Sequence, residues 1–478
     1  MRNSLVAIAL LGAGLAAVLA ASALDAGTQR TPPKAPVAIH KIKHVIVIMQ
    51  ENRSFDQYFG TYPGADGLPR EANGDFAVCV PDPLKGACEK PFHDTNDLNA
   101  GGPHGAANAV ADVNGGRMNG FVAQAEVARR RGCKKNPNDP ICSQRSVNPD
   151  VMGYHDGRDI PNYWAYARNF VLQDHLYEPN ASWSLPAHLF LVSEWSARCS
   201  RANDPMSCVN ALQNPGAPPD WRGSHGVAPN YAWTDLTYLL HKHRVSWRYY
   251  VFSGTEPDCE DDAMICESVK QGAKTPGIWN PLPYFDTVKQ NGQTQNVTSL
   301  SNYFKAAKDG KLPAVSWINP TGSVSEHPPA LITAGQTYVT RLVNAAMRGP
   351  DWKSTAIFVA WDDWGGFYDH VVPPVVDRNG YGLRVPGLVI SAYARKGFVD
   401  HQTLSFDAYV KFIEDDFLQS QRIDPHTDGR PDPRPTVREE VPVLGDLTQD
   451  FDFNQAPRPP LVLAGGTTTL ERRTAGGQ

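Results

Sequence analysis

Residues Lys41–Tyr58, KIKHVIVIMQENRSFDQY, constrain the fold more than any other stretch. The unbroken apolar run Val45–Met49 is mostly Val and Ile. Such a run predicts a strand buried on both faces, as strands are inside a parallel sheet. It stops at Gln50-Glu51-Asn52-Arg53-Ser54, where an amide, a carboxylate, a second amide, a guanidinium and a hydroxyl follow one another. In open α/β sheets, ligands bind in the crevice beyond the carboxyl ends of the strands. Taken alone, so short a motif reads more readily as a solvated polar loop.

A second buried strand is predicted over Ser354–Trp361, STAIFVAW, and ends in Asp362-Asp363-Trp364-Gly365-Gly366, then Phe367-Tyr368-Asp369-His370. A third, Leu312–Asn319, leads into Ser325-Glu326-His327-Pro328-Pro329. Asn169–Gln173, Val245–Phe252 and Val385–Ala392 are further strand candidates. Helices are expected over Phe121–Arg131, Pro161–Ala167, from Ala187 onward, Thr333–Arg348 and Phe406–Phe417. Strands alternating with helices predict an α/β fold with a mostly parallel, doubly wound sheet. A length of 478 residues suits one large domain with insertions, or two domains.

The amino terminus has another character. Met1-Arg2-Asn3, the apolar segment Leu5–Ala20 and Ala21-Ser22-Ala23 have the form of a secretory signal peptide, with an uncleaved anchor as the alternative. The expected organisation is a signal peptide at 1–23, a linker at 24–40, one main domain at 41–455 and a tail at 456–478. The protein is then secreted or periplasmic, with no stable membrane insertion after cleavage. Eight cysteines form four local pairs, Cys79/Cys88, Cys133/Cys142, Cys199/Cys208 and Cys259/Cys266, none spaced CxxC. They read as disulfides stapling small loops in an oxidising compartment, with zinc binding the weaker alternative. A net charge of −5 without a long basic run gives no support for nucleic-acid binding.

Three predicted strands thus end in Glu51-Asn52, Glu326-His327 and Asp362-Asp363. Ser184, in Glu178–Ser196, EPNASWSLPAHLFLVSEWS, lies at or just before a helix start marked by Pro186. A hydroxyl there sits in a positive field suited to phosphate. Adjacent carboxylates in a cleft repel, and a bound cation removes that repulsion. Oxygen donors from Glu, Asn and Asp suit one hard divalent ion such as Mg²⁺, Mn²⁺ or Ca²⁺. A metal beside an activated serine points to attack on a phosphoester. His327, His104 and Arg53 could bind the phosphoryl oxygens or protonate the leaving group. Each of these residues alone is more often structural.

The motifs HVIVIMQENRSFDQYFG, SWSLPAHLFLVS, SEHPP, WDDWGGFYDHVVPP and LGDLTQDFDF resemble the bacterial phosphoesterase family of secreted phospholipases C and acid phosphatases, within the alkaline-phosphatase-like superfamily. The resemblance spans roughly residues 40–455. It implies an alkaline-phosphatase-like three-layer fold, with a mostly parallel central sheet and helices on both faces. It implies Glu51, Asn52, Asp362 and Asp363 as metal ligands, Ser184 as the nucleophile held on the metal, and His327 and His104 at the phosphoryl group.

The chain also departs from that family. Asp363 stands where many relatives have Glu, Val110 where phospholipase-type members often carry a second His, and Ala187-His188 where they often have Asn-Arg. Large phospholipases C carry further C-terminal domains that a chain of this length does not hold. These departures lean toward an acid phosphatase or broader phosphoesterase acting on small phosphoesters through a phosphoseryl intermediate. A phospholipase C cleaving phospholipid head groups is the alternative. A non-catalytic secreted binding protein is the rival of another class, opposed by the retained serine, oxygen ligands and histidines.

Overall fold

The Val/Ile run folds as β1, His44–Gln50, its residues buried after the first. A computed structural model describes residues 37–138, 142, 149–216, 228–257 and 266–465. Besides β1, the central sheet holds β2 (Val171–Gln173), β3 (Trp247–Val251), β4 (Val297–Ser299), β5 (Val315–Asn319), β6 (Thr355–Trp361), β7 (Gly387–Ser391) and β8 (Phe398–Asp400). Their order across the sheet is β4-β3-β5-β1-β6-β7-β2-β8. β1 lies between β5 and β6, parallel to both. Every residue of β5, β6 and β7 is buried, so the apolar runs that predicted these strands build the middle of the sheet.

The sheet is mostly parallel, as expected, with one strand reversed. β7 pairs antiparallel with both β6 and β2. No helix intervenes between Trp361 and Gly387, so the chain turns back beside β6 instead of crossing over. The helices that matter for the site are α1 (Phe55–Phe59), α2 (Pro161–Asn169), α3 (Ser184–Ser193), α4 (Ile332–Arg348) and α5 (Phe406–Phe417). α3 begins at Ser184, three residues before the expected Ala187. Its cap is Trp183, and Pro186 lies within the first turn, where a missing N–H leaves no bond unmade.

Three of the expected disulfides are formed, Cys79–Cys88, Cys133–Cys142 and Cys199–Cys208. Cys199 and Cys208 face each other across a short antiparallel hairpin. Cys266 is also disulfide-bonded, and Cys259 lies outside the described residues. So do the expected signal peptide and the residues beyond 465. The last residues of the expected linker are docked: Ile39 is fully buried and His40 Nδ1 meets Asp416 Oδ1 at 3.0 Å. The expected tail is also held at its start, where Asn344 Nδ2 donates to Leu463 O. No helix among the described residues is long and apolar enough to cross a membrane.

Candidate active site

The register of β1 and β6 creates the site. Gln50 pairs with Trp361, so the next residues, Glu51 and Asp362, leave the sheet side by side. Backbone bonds extend the pairing into the loops: Asp362 N donates to Gln50 O and Arg53 N to Asp363 O, each at 2.9 Å. Between them the chain turns sharply at Asn52, whose φ is 60°. Asn tolerates this left-handed conformation better than most residues. Gly365, at φ 61°, lies against that turn, and a Cβ there would stand 2.5 Å from Asn52 O. Its carbonyl accepts from Gly102 N at 2.9 Å, which docks the loop carrying His104.

Hydrogen bonds leave a particular set of oxygens over. Asp362 Oδ1 accepts the backbone N–H groups of Asn52 and Asp363, each at 2.9 Å, and its Oδ2 has no partner. The Asn52 amide is fixed in orientation, because Nδ2 donates to Asp363 Oδ1 at 2.8 Å and to His104 Nε2 at 3.0 Å. Its Oδ1 is therefore the atom left buried and unpaired. Glu51 Oε1 meets His188 Nε2 at 3.1 Å, and Oε2 is unpaired. All these side chains are fully buried. Buried polar oxygens without partners also occur elsewhere in this fold, as at Glu194 and Asn319. Here three of them, on neighbouring residues, are all acceptors that fit a divalent cation.

Ser184 reaches the same place from the first turn of α3. Its Oγ donates to Asp363 Oδ2 at 3.2 Å. The segment before it is braced by the loop after the Cys199–Cys208 hairpin, where Trp183 Nε1 donates to Gln213 O and Ser182 Oγ to Leu212 O. One turn further along α3, His188 lies 3.1 Å from Glu51 Oε1 and 3.9 Å from Asp362 Oδ2. Glu51, His188 and Asp362 form a group with metal-ligand spacing.

Burial sets the electrostatics. It pushes the Glu51 carboxyl well above the usual range, with the charge of Asp362 adding to the effect. Burial, then Asp362, raises Asp363 to about 7. Nearby Glu178 is also raised, by burial first and by Asp363 next. Its Oε1 accepts Leu383 N. Burial pulls His188 down to about 4, and burial followed by the neighbouring His104 does the same to His327. The site accumulates buried acid that, among the described residues, no Lys or Arg side chain pairs with.

The remaining expected residues have distinct surroundings. His104 holds Asn52: its Nδ1 donates to Gly102 O at 2.9 Å, which leaves Nε2 to accept from the Asn52 amide. Its ring lies 5.9 Å from that of His327. His327 Nδ1 meets Pro328 O at 2.7 Å, and the residue borders a pocket of about 270 Å³ with Trp279, Ser323 and Pro329. Arg53 differs from the expectation of a substrate-facing guanidinium. It is fully buried, donating to Asn99 Oδ1 at 2.8 Å and to Glu326 O at 2.6 Å, and it stacks on Phe367. It therefore anchors the loop that carries His327.

Two residues hold the site in ways that their sequence positions did not suggest. His188 was legible only as a residue four places after Ser184 in a helix, a spacing that puts both on one face. Glu326 accepts from Tyr58, Tyr163 and Trp361 and so fixes the turn before His327, with φ 69°. No local pattern in the sequence signals that convergence.

The Phosphoesterase family pattern matches residues 42–418. The chain is 27% identical to a non-hemolytic phospholipase C of Pseudomonas aeruginosa over 94% of its own length and 63% of the relative's. It is 25% identical to phospholipase C B of Mycobacterium tuberculosis over 89% of this chain and 80% of that protein. It spans less than two thirds of the first relative. Among solved structures, the PsFucS1 sulfatase from Pseudoalteromonas sp. aligns over 85% of this chain and 73% of its own, at 10% identity and a TM-score of 0.33, too remote to argue from. With more than half of its residues inside the matched pattern, the chain belongs to the Phosphoesterase family.

Proposed function

We propose that this protein is a secreted or periplasmic, metal-dependent phosphoric ester hydrolase using Ser184 as nucleophile, on an alkaline-phosphatase-like three-layer catalytic unit spanning residues 41–455. The reading is carried by the unpaired buried oxygens of Glu51, Asn52 and Asp362 beside the Ser184 hydroxyl. Bound by those residues and Asp363, a divalent cation would neutralise charge on the phosphoryl oxygens and favour ionisation of the serine. Export is supported by the local disulfides as well as by the amino-terminal pattern.

In the proposed reaction Ser184 Oγ attacks phosphorus as the bond to the leaving oxygen breaks. The serine proton passes to Asp363 Oδ2, which already accepts the hydroxyl. The α3 amino terminus supplies unsatisfied backbone N–H groups on the same side as the serine. His327 meets the phosphoryl group and gives a proton to the leaving oxygen, because the charge of an arriving phosphate offsets the burial that holds its ring neutral. Water then cleaves the phosphoseryl intermediate. His104 keeps the Asn52 amide turned with Oδ1 free, a positioning role.

The phospholipase C names of the relatives favour phosphodiester cleavage, against the phosphatase leaning that the sequence departures suggested. Phospholipid head groups are the proposed substrates, with small phosphomonoesters as the second reading. Replacing Ser184 with Ala should lower hydrolysis of aryl phosphorylcholine and aryl phosphate by roughly a thousandfold or more, with metal content unchanged. Turnover at the wild-type rate in S184A overturns the nucleophile. Hydrolysis of the monoester alone decides for the phosphatase.

A further inference from the structure

The donor set at the strand ends contains a nitrogen. We infer that His188 Nε2 is a ligand of the cation held by Glu51 and Asp362, so that the site prefers a borderline ion such as Zn²⁺ or Co²⁺ over Mg²⁺ or Ca²⁺. This rests on the reading that the site holds a divalent cation, and it revises the expectation of an all-oxygen, hard-metal site.

Geometry carries the argument. His188 is fully buried, and Nε2 stands 3.1 Å from Glu51 Oε1 and 3.9 Å from Asp362 Oδ2. Two ligands each about 2.1 Å from one ion, at tetrahedral or octahedral angles, are separated by roughly 3.0–3.4 Å. The nitrogen thus already stands at ligand spacing from Glu51, and a small shift brings it to the same spacing from Asp362. One oxygen on each of these carboxylates, Glu51 Oε2 and Asp362 Oδ2, has no partner.

The other face of the ring matters as well. A hydrogen bond made by the second nitrogen normally fixes which nitrogen carries the proton. His188 Nδ1 is buried without a partner, so the Nε2···Glu51 contact alone holds the proton on Nε2. That nitrogen can turn its lone pair toward the ion once the proton leaves the Nε2···Glu51 contact. Imidazole suits Zn²⁺ and Co²⁺, whereas Mg²⁺ and Ca²⁺ select oxygen donors. The helix that starts at Ser184 would thus deliver the nucleophile and a metal ligand from successive turns of one face.

His188→Gln tests this, because a glutamine can keep a bond to Glu51 while offering no imidazole. Chelator-dialysed wild type and variant are loaded with Zn²⁺ and Mg²⁺ in competition and their metal content is read. The wild type should prefer Zn²⁺. H188Q should lose roughly tenfold to a hundredfold of that preference while retaining Mg²⁺ binding, and its Co²⁺ absorption spectrum should shift. An unchanged preference and spectrum assign His188 to holding Glu51 and overturn the inference. Zinc-edge X-ray absorption of the wild type needs no substitution: imidazole scattering supports the ligand, and an all-oxygen shell overturns it. A wild type that binds no divalent ion overturns the site reading itself, a different result from metal bound without nitrogen.

Discussion

Two buried acid clusters lie a few residues apart, and the same two motifs build both. The first is Glu51, Asp362 and Asp363, just past β1 and β6. The second is Asp56, in α1, with Asp369 and His370, further along the loop after β6. Asp56, Asp369 and His370 have the spacing of a metal site, as do Glu51 and Asp362 together with His188. They differ in what balances the charge. Arg384 lies fully buried inside the second cluster, its Nε donating to Asp369 Oδ1 at 2.9 Å and its Nη2 to Asp56 Oδ1 at 3.1 Å. His370 Nδ1 meets the remaining Asp56 oxygen at 2.7 Å, and the backbone N–H of Val371 also reaches Asp369. Every carboxylate oxygen there has a partner. At the strand ends Glu51 Oε2 and Asp362 Oδ2 have none, and no Lys or Arg among the described residues pairs with that cluster. The acid of the second cluster carries its own cation, whereas that at the strand ends is the acid to which the proposed function assigns one.

Removing each cluster's balance should therefore have opposite consequences. Arg384→Met strands Asp56 and Asp369 in the interior, and the expected loss of folding stability is about 3–5 kcal/mol, read by urea unfolding. A loss below about 1 kcal/mol would mean that the second cluster does not depend on its arginine. Glu51→Gln goes the other way: the metal-free protein should gain about 1 kcal/mol, while the stabilisation of the wild type by added cation should shrink.

A smaller effect is the pH dependence of the uncompensated cluster. Asp363, raised to about 7, keeps its proton in the metal-free fold where the unfolded chain has already lost it. Stability of the metal-free protein should then fall as pH rises from about 4 to about 7. Cations compete with those protons, so the metal-induced rise in Tm should grow over the same interval. Thermal scans at several pH values, with and without metal, read both slopes. Parallel slopes would mean that protons and cation do not share the site.

The sequence pattern carried much of this architecture, for physical reasons. The Val/Ile runs of β1 and β6 are legible because a strand buried on both faces needs no polar alternation. α5, Phe406–Phe417, is legible from its helical periodicity. Glu51, Asn52, Asp362 and Asp363 could be picked out because two adjacent parallel strands end in acid, although their register is a property of the folded sheet. The reversed direction of β7 was not legible, since residue pattern does not encode strand direction. The burial of Arg53 depends on Asn99 and Glu326, which no local rule connects to it. His188 was hidden for the same reason, because its partners lie across the fold in two different loops.

Metal analysis of the purified protein, before and after dialysis against chelator, is most decisive when read beside hydrolysis of aryl phosphorylcholine and aryl phosphate. One divalent ion per chain is expected, with hydrolysis lost as the ion is removed and recovered when it is restored. Full hydrolysis by protein stripped of its ion would rule out a metal-dependent site.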